Sequence, residues 1–219
     1  MTRVLVLFSS IFGANAALAE AAGGALESAG ADVRVRGVPQ LVLGKYEVDA
    51  AKAHPKATAD DLAWAEGFVV TSPAHTGAMA ASLKAFVDDN HDAAIAGQFL
   101  NTTFTAMATA ELPHSGQEVV VNQLNGLGAA WGCVLVPPST ANSELNALDG
   151  NAFGLSFTLD KGKLPEGIQG DLNDHLQRFV QVTEALASVR KPVEDGAAKI
   201  VTETDQVNAR RHTISSALS

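Results

Sequence analysis

The chain has 219 residues, of which 47% are hydrophobic, and carries a formal net charge of −9 at pH 7. This length predicts one α/β domain with additions, while the acidic balance argues against a nucleic-acid partner and the single cysteine, Cys133, excludes a disulfide framework. The apolar runs are too short for a membrane span, and polar residues from Ser9 onward come too early for an export signal, so the sequence predicts a cytoplasmic protein.

The first strong pattern is a buried strand followed by a small polar loop and a helix. Residues 3–8 are almost entirely apolar, as expected for a strand covered on both faces of a parallel sheet. The next seven residues hold two serines, Gly13 and Asn15, and helix formers then predict a first helix from about Asn15 to Ala29. Unpaired N–H groups and the helix dipole favour an anion at such a junction. These residues alone leave two interpretations open, a phosphate site and an ordinary capped turn.

The first loop differs from the common nucleotide-binding loops. It has neither the lysine of an NTPase phosphate loop nor the glycine spacing of a dinucleotide turn. A phosphate held by hydroxyl and backbone N–H groups, without a cation, is the manner in which flavodoxins bind flavin mononucleotide (FMN). The sequence therefore favours a flavin phosphate over a nucleoside triphosphate at this loop.

Strands and helices alternate along the rest of the chain. A second strand is predicted at residues 32–37, where valines alternate with arginines as at a sheet edge. Later strands are predicted at residues 67–71, 102–108 and 133–136, the last extended by residues 155–159. Helices are predicted from Thr58, with Asp61 completing a capping box, around residues 79–87, over 117–130, and from Asp171 to Pro192.

Polar loops follow the third and fourth predicted strands as well as the first. They comprise residues 72–77 and 109–116. The alternating elements predict a five-stranded parallel sheet with helices on both faces, in which ligands bind at the carboxyl ends of the strands. In the strand order 2-1-3-4-5, strands 1, 3 and 4 are neighbours. The three loops are therefore expected to meet at one site.

Three other segments are read as connections or additions. Residues 38–56 are predicted to be a connecting excursion, and residues 139–154 are long enough for a binding loop. Residues 191–219 are polar and weakly periodic, which predicts a C-terminal tail or an oligomerisation arm. The domain itself is therefore expected to span residues 1–190.

Four short motifs occur in a fixed order along the chain. They are Val4-Leu5-Val6-Leu7 with Ser10 and Gly13, Thr71-Ser72-Pro73 with Gly77 and Met79, Gly116-Gln117-Glu118, and Gly132-Cys133-Val134-Leu135-Val136-Pro137. In this order they resemble the tryptophan-repressor-binding-protein family of flavodoxin-like NAD(P)H:quinone oxidoreductases, over about residues 1–189. The resemblance implies a three-layer flavodoxin-like α/β fold, FMN as cofactor, NAD(P)H as electron donor to a quinone or similar small acceptor, and a homo-dimer or homo-tetramer.

The chain also departs from the pattern of that family. Phe12 and Ala14 stand where the family usually has Tyr and His, residues 74–76 read Ala-His-Thr instead of Thr-Arg-Phe, and Trp131 stands in place of a His. The third loop carries Glu111 and Pro113 where a Gly-rich run is usual. Because proline has no N–H and a carboxylate repels an anionic cofactor, the flavin-ring end of the site is expected to differ. A flavodoxin-type electron carrier and a flavin-free binding or assembly protein remain as alternatives.

The resemblance carries a set of site residues. The predicted cofactor-binding residues are Ser10, Ile11, Phe12, Gly13, Asn15, Pro73, His75, Thr76, Gly77, Thr109, Ser115 and Gly116, with Ser10, Gly13 and Asn15 at the phosphate. Phe12 and Trp131 are predicted to form aromatic walls for a substrate, although a core position suits Trp131 equally well. No catalytic acid or base is assigned, because the flavin carries the redox chemistry. No metal site is predicted. The loops offer one possible cluster of metal ligands or basic groups, which consists of His75, Glu111 and His114.

Overall fold

A computed structural model describes residues 1–41, 47–141 and 151–190. Its strands are β1 (Arg3–Phe8), β2 (Asp32–Gly37), β3 (Gly67–Pro73), β4 (Thr103–Ala110), β5 (Val134–Leu135) and β6 (Leu155–Thr158). Its helices are α1 (Ala14–Ser28), α2 (Asp49–Lys52), α3 (Ala59–Trp64), α4 (Ala81–Asp89), α5 (His91–Ile95), α6 (Gln117–Ala130) and α7 (Ile168–Ala185). The predicted tail, residues 191–219, and residues 142–150 of the predicted binding loop lie outside the described residues.

The sheet is parallel, and its order β2-β1-β3-β4-β5 confirms the predicted topology. A sixth strand, β6, also pairs with β4. Strand β5 pairs only with Thr103 and Phe104 of β4, whereas β6 pairs with residues Met107 to Ala110. The edge strand is thus interrupted after Leu135 and resumed at Leu155, because a long connection leaves and rejoins the same edge.

Helices cover both faces of the sheet and bury alternate residues of each strand. Val4, Val6 and Phe8 of β1 pack in a cluster with α1 and α7, while Leu5 and Leu7 pack in a second cluster with α3, α4 and α6. This alternation is the period-2 geometry of a strand covered on both faces. The molecule therefore has three layers, as predicted.

The predicted helix starts can be compared with the observed starts of α3 and α7. Thr58 and Asp61 form the predicted capping box at the start of α3, since the Thr58 hydroxyl accepts from the Asp61 N–H and the Asp61 carboxylate accepts from the Thr58 N–H. Helix α7 begins at Ile168, earlier than the predicted Asp171, because Gly167 with φ of 89° makes the turn into the helix. Within the described residues, no helix is both long enough and apolar enough to cross a membrane.

Candidate functional site

The loops that follow β1, β3 and β4 meet around one cavity of about 220 Å³ at the carboxyl ends of these strands. The residues that line it are Ser10, Ile11, Phe12, Ala14, Asn15, Pro73, Ala74, His75, Thr109, Ala110, Glu111, Leu159 and Gly162. Seven of the twelve predicted cofactor residues are among them, namely Ser10, Ile11, Phe12, Asn15, Pro73, His75 and Thr109. The expected convergence of three loops is therefore present in the fold.

The first loop presents hydrogen-bond donors towards this cavity. Gly13 turns the chain into α1 with φ of 98°, and because it has no side chain it leaves the first-turn N–H groups of the helix uncapped. The Gly13 N–H donates to Ser10 Oγ at 3.2 Å. A serine hydroxyl has one hydrogen to donate, and that of Ser10 has no acceptor among the described residues. The buried Ser10 hydroxyl and the start of α1 can therefore both donate to an anion.

The side chain of Asn15 connects the ends of the three neighbouring strands. Its amide oxygen accepts from the Thr71 hydroxyl at 2.6 Å, and its amide nitrogen donates to the Thr109 hydroxyl at 2.8 Å. All three residues are almost completely buried. The side chain predicted to contact phosphate is thus held between β3 and β4, where it fixes the start of α1 relative to both strands.

The second loop folds back on itself in a tight turn. The N–H of His75 donates to the Ala78 carbonyl and the Ala78 N–H donates to the His75 carbonyl, both at 3.0 Å. Thr76 and Gly77, between them, have φ of 50° and 79°, the backbone of a type I′ turn. A β-branched residue rarely adopts this conformation. His75 lines the cavity, whereas Thr76 and Gly77 do not.

The second and third loops contact each other through two glycines. A Cβ atom added to Gly116, which has φ of 97°, would lie 2.7 Å from the Cα atom of Gly77. Gly77 and Gly116, both predicted cofactor residues, therefore allow two backbones to approach closely, and neither lines the cavity.

The side chain of Gln117 organises the third loop. Its oxygen accepts from the Ser115 N–H at 3.0 Å, and its nitrogen donates to the Leu112 carbonyl at 3.1 Å and to the Thr158 hydroxyl at 3.2 Å. Gln117 is 3% exposed. Gln117 belongs to a family motif but had no predicted role, and its hydrogen bonds link the third loop to β6.

The change in the third loop affects the cavity less than the sequence suggested. Pro113 is exposed and does not line the cavity. Glu111 does line the cavity and is itself exposed. Glu111 and Pro113 are the two departures in this loop, and only Glu111 lies at the cavity, where a ligand would meet its carboxylate.

A fourth loop, missed by the sequence analysis, closes one side of the cavity. It follows β6 and contributes Leu159 and Gly162. Asp160 and Lys163 exchange backbone hydrogen bonds of 2.8 and 3.0 Å around Lys161 and Gly162, whose φ values of 50° and 78° again make a type I′ turn. The predicted extension of the fifth strand by residues 155–159 was the available signal, because a parallel strand there must also end at this edge of the sheet.

The two predicted aromatic walls lie in different parts of the molecule. Phe12 lines the cavity and is 74% exposed. Trp131 is 5% exposed and packs against Phe68 and Phe99, with ring centroids 5.7 and 4.6 Å away. Trp131 also lines a separate groove of about 330 Å³ between α4, α5 and α6. The structure therefore does not bring Trp131 to the cavity at the strand ends, and the core alternative describes it.

His75 and Ser115 are further predicted residues of the second and third loops. Ser115 lies in the third loop outside the cavity lining, where its N–H is bound by Gln117. His75 is exposed as a whole, but partial loss of hydration lowers the pKa of its imidazole, which is therefore mainly neutral at pH 7. Within the described residues, no group of three or more His, Cys, Asp or Glu residues is arranged to hold a metal ion.

This arrangement has two chemically different ends. Near Ser10 and the start of α1, neutral donors and the helix dipole suit a phosphate. Near Pro73, Ala74, Thr109 and Ala110, the walls are small and mostly apolar, which suits a flat ring. The residues present thus fit a phosphate-bearing aromatic cofactor, with His75 and Phe12 at the open side.

Comparisons with known proteins agree with this geometry. Residues 2–146 match the family described as NADPH-dependent FMN reductase. A protein of Deinococcus radiodurans named NAD(P)H dehydrogenase (quinone) is 32% identical over 193 residues, which cover 84% of this chain and 96% of that protein. A protein of the same name from Chelativorans sp. is 32% identical over 171 residues, covering 73% of this chain and 84% of that protein.

Solved structures show the same fold. A flavodoxin, WrbA-like protein from Agrobacterium tumefaciens superposes with a TM-score of 0.58 at 14% identity, covering 87% of this chain and all of that one (100%). A flavodoxin from Pseudomonas aeruginosa superposes with a TM-score of 0.52 at 17% identity, covering 84% of this chain and 99% of that one. These neighbours support the flavodoxin-like architecture.

Proposed function

This chain belongs to the NADPH-dependent FMN reductase family, and we propose that it is an FMN-dependent oxidoreductase passing electrons from NAD(P)H to a quinone or similar small acceptor. Curated relatives that match most of the chain carry the name NAD(P)H dehydrogenase (quinone). The observation that carries the proposal is the cavity at the ends of β1, β3 and β4, with a donor-rich end beside Ser10. Bound there, FMN would accept a hydride from a nicotinamide and release electrons to the acceptor.

The first loop is proposed to hold the FMN phosphate. The Ser10 hydroxyl donates to a phosphate oxygen, and the backbone N–H groups of Ala14 and Asn15 complete the cradle with help from the helix dipole. Gly13 supplies the backbone turn that leaves these N–H groups uncapped. The Asn15 side chain positions this loop against Thr71 and Thr109 instead of contacting the phosphate itself.

The second and third loops are proposed to hold the ring. Pro73, His75 and Thr109 line the ring site, while Thr76, Gly77, Ser115 and Gly116 set the shape of the two loops. The mainly neutral imidazole of His75 can donate one hydrogen bond to a carbonyl of the ring or of the acceptor. Phe12, exposed at the mouth, offers an aromatic face to a quinone.

The absorption spectrum of the purified protein tests this function. We expect the visible bands of oxidised flavin in the protein as purified or after incubation with FMN, bleaching when NADPH or NADH is added without oxygen, and return of the bands when a quinone follows. A colourless protein that does not take up FMN would overturn the proposal. Flavin that is reduced only by a partner reductase protein would instead favour the electron-carrier alternative.

Assembly and location are further parts of the proposal. Phe12 and Leu112, which are 74% and 65% exposed, present large apolar surface on the loops near the cavity, as expected for a face covered by another copy of the chain. We therefore propose a homo-dimer or homo-tetramer, which sedimentation analysis would test. The single cysteine is consistent with the proposed cytoplasmic location.

A further inference from the structure

A second cavity, of about 160 Å³, lies beside the first on the side of β2. Its lining residues are Ser9, Ile11, Gln40, Leu41, His75, Ala80, Ala81 and Ser82. Ile11 and His75 line both cavities, so the two spaces adjoin across these side chains. The second cavity is therefore an immediate neighbour of the first.

The hydroxyl of Ser9 is a buried donor that faces this second cavity. The N–H of Ser9 donates to the Thr71 carbonyl at 3.3 Å, so Ser9 continues the backbone pairing of β1 with β3. Along the chain Ser9 alternates in step with Leu5 and Leu7, whose side chains pack on the α4 face of the sheet. Strand alternation thus directs its side chain to the α4 face of the sheet, opposite to that of Ser10. Ser9 is 1% exposed, yet its hydroxyl has no hydrogen-bond partner among the described residues. The Ser9 hydroxyl can therefore donate its hydrogen to a molecule in this cavity.

The N-terminus of α4 faces the same space. The N–H groups of Leu83 and Lys84 donate to the Ala80 carbonyl, so those of Ala81 and Ser82 are the first-turn donors without an intrahelical partner. Ala80, at the N-cap, has no side chain that could satisfy them. This nine-residue helix adds the positive end of its dipole.

Hydrogen bonds join the described walls of the cavity, and no acidic side chain is among their lining residues. The Ser82 hydroxyl donates to Gln40 Oε1 at 3.0 Å and accepts from the Leu41 N–H at 3.2 Å, which holds the β2 side of the cavity against α4. None of the described residues that line it is acidic. The cavity thus combines a buried hydroxyl, two backbone donors and a helix dipole.

From these features we propose that the second cavity is an oxyanion subsite that takes a phosphate group of the nicotinamide dinucleotide donor. This inference rests on the proposed function, because the donor must bring its nicotinamide to the first cavity. The phosphate accepts from the Ser9 hydroxyl and from the N–H groups of Ala81 and Ser82. The pyrophosphate of NADH and NADPH and the additional phosphate of NADPH share this chemistry.

The test compares two substitutions of the exposed Ala81 that differ in charge. Ala81→Asp places a carboxylate at the N-terminus of α4, where it stabilises the helix and repels a phosphate. Ala81→Asn has the same size without the charge and is the matched control. In the flavin-loaded protein we expect Ala81→Asp to raise the KM for the donor about tenfold, and Ala81→Asn to change it less than about twofold.

Further measurements identify the group that binds. A rise in KM for both NADH and NADPH assigns the pyrophosphate, and a rise for NADPH alone assigns its additional phosphate. Ser9→Ala is expected to raise the same KM about tenfold, because it removes a hydrogen bond to a charged group. Inorganic phosphate should compete with the donor, and more weakly in Ala81→Asp than in Ala81→Asn. Unchanged donor KM in Ala81→Asp, or a change in the acceptor KM alone, overturns the subsite.

Failure of the proposed function would be seen separately, as absence of flavin uptake or of turnover in the unsubstituted protein. In that case inorganic phosphate is titrated into the unsubstituted protein and both Ala81 variants by calorimetry. A binding event lost only in Ala81→Asp supports the oxyanion subsite, and identical titrations overturn it.

Discussion

The side-chain amide of Asn15 donates a hydrogen bond of 2.8 Å to the hydroxyl of Thr109, which lies 94 positions further along the chain. Its amide oxygen accepts from Thr71, so one side chain joins the first helix to two strand ends. All three polar groups are buried, and each depends on the others for its hydrogen bonds. The first loop, which is proposed to hold the phosphate, is therefore fixed relative to the loops that are proposed to hold the ring.

Asn15→Ala is expected to lower the free energy of unfolding by about 2 kcal/mol or more, because it leaves two buried threonine hydroxyls without this partner. Urea unfolding measures the loss, and FMN affinity should fall with it. Asn173→Ala, which removes an amide from the exposed face of α7, is the control and should change stability by less than about 0.5 kcal/mol. Equal stability of the two variants would contradict the role given to Asn15.

Gly116→Ala is expected to separate the second and third loops. The added Cβ atom would meet the Gly77 Cα atom at 2.7 Å, and the left-handed φ of 97° adds a cost of about 1–2 kcal/mol. Gly167→Ala is the matched control, since Gly167 precedes α7 with φ of 89° and has open space around its Cβ position. Both variants should lose stability, but only Gly116→Ala should also weaken FMN binding, as measured by flavin fluorescence titration.

Ser10→Ala is expected to weaken FMN binding about tenfold, because it would remove the hydrogen bond proposed between the Ser10 hydroxyl and the phosphate. Riboflavin, which has no phosphate, should bind the variant and the unsubstituted protein equally. Ser28→Ala, at the other end of α1, is the control and should leave both affinities unchanged. Equal loss of FMN and riboflavin affinity would indicate a distorted loop and not a lost phosphate contact.

Acid is expected to destabilise the protein through His175. Burial, with a smaller contribution from the charge of Arg178, lowers the pKa of His175 from 6.5 to about 4. Between these pH values the unfolded chain takes up a proton that the folded protein excludes, so the free energy of unfolding falls as pH falls from 6.5 to about 4. The total loss is on the order of 3 kcal/mol, and above pH 6.5 this contribution is fully present.

His175→Gln tests this pH dependence. Glutamine has no proton to gain in this range and can still hydrogen-bond to Thr105, whose hydroxyl lies 2.7 Å from His175 Nε2. Urea unfolding at pH 7 and pH 5 should show a smaller difference for His175→Gln than for the unsubstituted protein. The same difference in both proteins would assign the acid sensitivity to other groups.

Much of the fold was predictable because its signals are local. The apolar run of β1 and the alternating β2 lie where they were predicted, and Gln117 to Ala130 form α6, as predicted. The Thr58–Asp61 capping box is also present. The site was predictable in outline, since parallel strands 1, 3 and 4 must end at the same edge of the sheet.

Individual side-chain roles were less predictable, because they depend on direction and on distant partners. Thr76 and Gly77 belong to a predicted loop and have a left-handed backbone, yet neither lines the cavity. Trp131 follows a correctly predicted helix, yet it packs against Phe68 and Phe99 in the core. The residue pattern of a short segment does not predict whether a side chain in it faces the cavity or the core.

By itself, then, the sequence determined the order of strands and helices, the edge of the sheet at which a ligand is expected to bind, and the donor chemistry of the first loop. These depend on hydrophobic periodicity, helix formers and turn residues, which act over a few positions. The tertiary structure decided that Asn15 clamps Thr71 and Thr109, that Gly77 meets Gly116, and that the loop after β6 closes the cavity. Those contacts join residues far apart in the chain, and only the packed sheet and helices fix the distances between them.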